Sequence, residues 1–234
     1  MSTFSRRTVT CHCGTAFEGE VFDSLHVSRR PDVRDRILEG TFHTFPCPGC
    51  GERVVVEARL AYTDFPRKHW FTVYPRIDLR HRTEMADFAA RAFRATMVDR
   101  APELVRDWAP DMLQRVIFGL ASLREKLIIF DANLDDRLIE ILKLQLFRTT
   151  RRLLFHPDTF LFLSEIESDT LIFDYAPPGK ETVSLPVPRE LYVDLAGRCD
   201  ALLRDQPWLS DGFVVDYRAI VTPDLPLARA EEPQ

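Results

Sequence analysis

The spacing of hydrophobic positions changes twice along the chain, and each change marks a different kind of predicted element. Residues 1–77 carry short apolar runs. Val54-Val55-Val56-Glu57-Ala58 and Trp70-Phe71-Thr72-Val73-Tyr74 have the β-branched and aromatic content of strands, with Asp64-Phe65-Pro66 as a turn between them. Residues 31–38 suit a short helix, because Pro31 fits its first turn and Gly40 stops it. From residue 78 the period lengthens. Met85, Phe88, Ala89, Ala92, Phe93 and Thr96 recur as one face of a helix. A second helix is predicted from about Asp111, burying Met112, Val116, Leu120, Leu123 and Leu127. A third starts near Asn133 as N-cap, with Asp135 and Asp136 in its first turn. Over residues 138–147 it is apolar on nearly every side, as befits a helix central to the core or set in an oligomer interface. After residue 150 alternation returns. Residues 160–167 and 170–175 flank a turn near Ser168-Asp169 and read as a β-hairpin, ended by Pro177-Pro178-Gly179. A helix opening at Pro188 would bury Leu191, Leu195, Leu202 and Cys199, and residues 213–217 read as a returning strand. The residues from Pro223 onward read as a mobile tail.

Composition adds the class of molecule. Hydrophobic residues make up 45% and charged residues 29%, which suits a soluble globular chain with a sizeable core. The longest apolar run, residues 116–123, ends at Arg124-Glu125-Lys126, far short of the roughly 18 residues a membrane span needs. The first residues hold no apolar stretch of a secretory signal, so a cytoplasmic location is expected. Thiols stay reduced there, and paired cysteines hold a metal more often than a disulfide. The net charge of −5 is uneven: +2 over residues 1–77, zero over 78–150 and −7 over 151–234. The strongly basic footprint of a nucleic-acid binder is absent.

Four of the five cysteines fall in two tight pairs, Cys11-His12-Cys13-Gly14 and Cys47-Pro48-Gly49-Cys50-Gly51. Each pair is followed by a glycine that can take the backbone angles of a tight turn, and then by the start of a strand. Zinc prefers four soft ligands in a tetrahedron, and two such turns, each closing a strand pair, make a zinc ribbon. Cys11, Cys13, Cys47 and Cys50 are therefore the expected ligands. The first pair is one residue short of the usual C-x2-C. Residues two apart on an extended strand lie about 6.5–7 Å apart, so Cys11 and Cys13 share an ion only if the chain folds tightly between them. Other outcomes stay open at this point: a Cys3His site using His12 or His43, iron in place of zinc, or buried thiols without metal. A closed four-ligand site leaves no position for water and makes the metal structural.

These two loops, the segment Ser28-Arg-Arg-Pro-Asp-Val-Arg-Asp-Arg-Ile-Leu-Glu-Gly, and Tyr62-Thr-Asp-Phe followed by Val73-Tyr-Pro resemble the bacterial CpXC domain, a family defined by two C-P-x-C motifs. Cys47-Pro48-Gly49-Cys50 matches that motif fully, whereas Cys11-His12-Cys13 lacks the proline and one residue. The resemblance implies a metal-binding N-terminal third and brings no activity with it.

Other motifs carry less. Asp131-Ala-Asn133-Leu-Asp135-Asp136 begins like a calcium loop, but Asp136 stands where glycine belongs and Leu142 where the bidentate glutamate belongs. The six histidines, His12, His26, His43, His69, His81 and His156, show no zinc-protease or triad spacing. Cys199 reads as an inert thiol on a helix. Arg29, Arg30, Arg34 and Arg36 cluster near the cysteines, yet Asp32 and Asp35 are interleaved with them. The sequence thus predicts an α+β protein with a zinc ribbon-like β module (1–77), a central helical bundle (78–150), a C-terminal β-hairpin plus helix and strand (151–222), and the tail (223–234). With no catalytic constellation, the expected function is a zinc-stabilised, non-enzymatic adaptor acting on a protein partner or a second copy of itself. The alternative is a nucleic-acid-binding regulator using the arginine face.

Overall fold

The computed structural model describes residues 2–210 and 212–227. Its first unit is a long antiparallel hairpin, β1 (Thr3–Thr10) and β2 (Ala16–His26). Beyond it come α1 (Pro31–Leu38) and a small hairpin of β3 (Thr44–Pro46) and β4 (Arg53–Val55). The strand expected over residues 54–58 is thus shorter and begins at Arg53. Two further strands follow, β5 (Leu60–Asp64) and β6 (His69–Tyr74), paired antiparallel around the predicted turn.

The stretch from Asp111, expected to be helical, corrects the sequence reading. Residues Leu113–Phe118 form β7, which pairs in parallel with β6. Gly119, at φ 97°, then turns the chain into α4 (Leu120–Asp131). The four-residue spacing of Met112, Val116 and Leu120 mimics a helix, but Val116 and Ile117 are both buried and on opposite faces of the sheet. That is the alternation of a strand buried on both sides. The sheet order is β1-β2-β5-β6-β7.

One face of this sheet presents Leu60, Tyr62, Phe71, Val73 and Ile117 to α1 and α4, where Val33, Ile37, Leu123 and Leu127 meet them. The other face presents Tyr74, Val116 and Phe118 to α2 (Arg82–Arg94), through Met85 and Ala89. A short helix, α3 (Glu103–Arg106), precedes β7. β2 reaches β5 only through Ser24, Leu25 and His26, so the far half of the first hairpin leaves the sheet and pairs with β1 alone.

α5 (Asp136–Thr149) shares an apolar core with a three-stranded antiparallel sheet of β8 (Phe160–Ile166), β9 (Thr170–Ala176) and β10 (Val183–Pro188), whose first strand lies against α4. The expected hairpin is therefore two-thirds of a meander. Asp135 caps α5 in place of Asn133, its side chain accepting from the Arg137 N–H at 2.9 Å. Asn133 instead takes the left-handed conformation (φ 54°) in the link from α4. α6 (Arg189–Ala196), α7 (Cys199–Arg204) and α8 (Pro207–Ser210) complete the C-terminal part. Tyr192 and Leu195 are buried there, whereas Leu191, expected inside, is exposed.

Two further expectations are corrected. Residues 213–216 form no strand; Asp216 accepts from the Arg218 N–H and starts a 3-10 turn at Tyr217–Ile220. Of the tail, residues 223–227 are held against the start of α2: Leu225 N–H donates to Arg80 O, and Leu227 N–H to Glu84. Residues 228–234 lie outside the described residues.

The nearly all-apolar helix predicted over residues 138–147 is central, and it carries charge inward. Lys143, 1% exposed, donates to Glu125 at 2.8 Å and to Glu140 at 3.0 Å. Lys126 pairs with Asp136 at 3.0 Å, which Arg115 also grips at 2.8 Å. The same carboxylates also accept backbone N–H groups, Leu163 on Glu125 and Tyr217 on Glu140. Every charge is thus matched by an opposite charge and hydrogen bonds, the condition for burying it.

Candidate metal centre

The tip of the first hairpin is the Cys11-His12-Cys13 loop. It closes tightly: Gly14 N–H donates to Cys11 O and Cys11 N–H to Thr15 O, both at 2.9 Å. In the second loop the equivalent bond is Gly51 N–H to Cys47 O at 2.9 Å, with Cys47 N–H donating to Glu52 O. The ring is one residue longer there, which is the whole difference between C-x-C and C-x2-C. Gly14 and Gly51 both sit at positive φ, 87° and 78°. The short loop therefore performs the same turn as the long one.

The two loops face each other. Cys11 Sγ lies 3.6 Å from Cys50 Sγ, and Cys13 Sγ lies 3.6 Å from Cys47 Sγ. All four sulfurs lie within 4.8 Å of one another. A tetrahedron with metal–sulfur bonds of about 2.3 Å has edges of about 3.8 Å, so the donor set fits a thiolate-bound ion. Cys11 and Cys47 are buried, whereas Cys13 and Cys50 face solvent. Gly49 N–H points at Cys47 Sγ from 3.4 Å.

Electrostatics show what the cluster needs. The Thr15 hydroxyl, 3.3 Å away, and then its backbone N–H hold the Cys13 thiol down to about 6. Cys50 is pushed up to about 12: the Glu52 N–H pulls it down, but burial and the three neighbouring sulfurs outweigh it. Four thiolates this close repel one another, and a cation at their centre removes the conflict.

The histidines stand outside this set. His43 Nε2 accepts the Phe22 N–H at 2.8 Å, and its ring stacks on Phe42 at 3.8 Å, so it serves the core. Burial holds it neutral, with its pKa lowered to about 4. His12 Nδ1 lies 3.5 Å from Cys11 Sγ, beside the cluster. The aspartates of residues 131–136 are engaged by cations: Asp131 by Arg34, Asp135 by Arg137, and Asp136 by Arg115 and Lys126. Cys199 is half-buried in α7, and burial raises its pKa. Sequence reasoning missed the closeness of Gly49 to Thr15, where a side chain at 49 would overlap the Thr15 hydroxyl. No local signal marks that contact, because it joins the two loops.

A family model described as CpXC protein matches residues 9–143, which takes in both cysteine loops, the last two residues of β1, the other four strands of its sheet, and α4. No curated protein and no solved structure matches the chain.

Proposed function

Because the chain belongs to the CpXC family, we propose that Cys11, Cys13, Cys47 and Cys50 ligate one structural zinc ion in a non-enzymatic adaptor protein. The observation that carries this reading is the closed set of four sulfurs from two facing loops. Zinc bound there would tie the projecting end of the first hairpin to the β3–β4 hairpin, and its binding energy would be folding energy. Four thiolates leave it no open position, so it would take no part in chemistry. The surface offered to a protein partner or a second copy is β1, an edge strand with Phe4 half exposed. Edge strands carry unpaired backbone groups ready for another chain. Nucleic acid ranks behind, because Arg30 is paired with Asp32 at 2.8 Å and Arg34 is buried against Asp131 at 2.6 Å.

Elemental analysis of untagged protein tests the metal, together with melting in the presence of a chelator. The reading expects one zinc per chain and a melting temperature lowered by the chelator. A folded protein with four titratable thiols and no metal would overturn it. Light scattering and pull-down test the adaptor role, and a strict monomer that retains no partner would remove it.

A further inference from the structure

A second polar site lies away from the cysteines, where the 3-10 turn Arg76–His81 meets the start of β8 and the chain after Tyr217. These parts border an open pocket of about 590 Å³, a volume within the usual range for small-molecule sites. Three arginines line it, Arg76, Arg80 and Arg218.

Arg218 is 2% exposed. Its Nε and Nη2 are spent on Asp216, Phe118 O and Ser122 Oγ. Among the described residues its Nη1 takes no partner. The guanidinium of Arg76 lies 4.8 Å from the centre of the Phe160 ring, and that of Arg218 lies 5.3 Å from the same centre. Phe160 thereby orients both. Among the described residues neither Arg76 nor Arg80 has an ion pair, and Arg80 donates only through Nε, to Ile77 O at 3.1 Å.

Two carboxylates share the lining. Glu57 accepts the Arg76 backbone N–H at 2.8 Å, and Asp158, with its side chain 76% exposed, sits beside His156. Free guanidinium N–H groups therefore outnumber the acceptors available to them. The segment after Tyr217 closes one wall and is pinned there: Leu225 N–H donates to Arg80 O, and Arg82 donates to Thr222 O at 2.8 Å. Ile77, Leu79 and Leu225 give the cavity an apolar side.

We propose that this cavity binds a small organic molecule carrying an oxyanion, a phosphate before a carboxylate, held by Arg76, Arg80 and the free Nη1 of Arg218. Guanidinium forks match oxyanions in pairs of parallel hydrogen bonds, and a phosphate monoester offers a third oxygen to a third arginine. The apolar wall receives the organic part. The site is independent of the metal reading and requires only the junction of the family-matched region with the C-terminal third.

Ligand-observed NMR titration of the full chain with phenyl phosphate and with benzoate tests it. Phenyl phosphate is expected to bind more tightly than benzoate, and raising the salt should weaken both. The double variant Arg76→Gln/Arg80→Gln should weaken binding about tenfold or more, and Arg76→Lys/Arg80→Lys should fall between it and the native chain. Both variants should melt as the native protein does, since neither side chain holds an ion pair. Benzoate binding with the same arginine dependence supports an oxyanion site and reverses only the preference for phosphate. Failure of both probes to bind, or binding that both double variants leave unchanged, overturns the proposal.

Discussion

Replacing Lys143 by methionine tests the buried charge network in its most sensitive place. The ammonium bridges Glu125 and Glu140 and is 1% exposed. Burial drives the Glu125 pKa up, and Lys143 is the largest influence holding it down. Without the lysine two carboxylates remain, and Lys126, 3.4 Å from Glu140, is already committed to Asp136. Removing one partner of a buried ion pair destabilises by about 3–5 kcal/mol, because the other charge is left uncompensated. The loss should also depend on pH. In the variant the folded-state pKa of Glu125 lies further above its unfolded value. Stability from its protonated form is then present below the unfolded pKa and lost as pH rises through the folded one. Urea unfolding should therefore show a smaller deficit near pH 5 than near pH 8. Lys143→Met/Glu125→Gln should recover much of it, since glutamine keeps an acceptor for the Leu163 N–H. A Lys143→Met protein within about 1 kcal/mol of the native one, or a deficit that neither acid nor Glu125→Gln relieves, would refute the argument.

Gly49→Ala should push the second loop off Thr15 and weaken the proposed metal site, measured as faster loss of the bound metal to a chromogenic chelator. His69 is buried between Phe71 and Phe130, and its pKa is lowered to about 4, by burial first. Its neutral form favours the folded state, so that contribution is present above about pH 6.5 and lost as pH falls towards 4. The full shift corresponds to about 3 kcal/mol, and His69→Phe should remove this part of the acid sensitivity in melting curves from pH 7 to 4.5. Asp135→Ala should lower stability by about 1 kcal/mol in urea unfolding, through loss of the α5 cap.

Elements whose causes are local could be read from the chain alone. The cysteine loops were legible because their spacing and glycines define turns within a few residues, and the shortened Cys11-His12-Cys13 loop still closes its turn at Gly14. The helix Pro31–Leu38 carries its own start and stop signals, and the strand pair β8–β9 its own alternation. The other elements depend on long-range packing. Met112, Val116 and Leu120 have the spacing of a helical face, and only pairing with β6 selects the strand over residues 113–118. Glu125, Lys126 and Lys143 look like surface charges until partners from other segments surround them, although Asp136, Glu140 and Lys143 already share one helical face. That the four sulfurs meet across two hairpins, and that Arg76, Arg80 and Arg218 line one cavity, depends on contacts between residues far apart in the chain. Local pattern records what a segment can form, and burial by distant segments chooses among those forms.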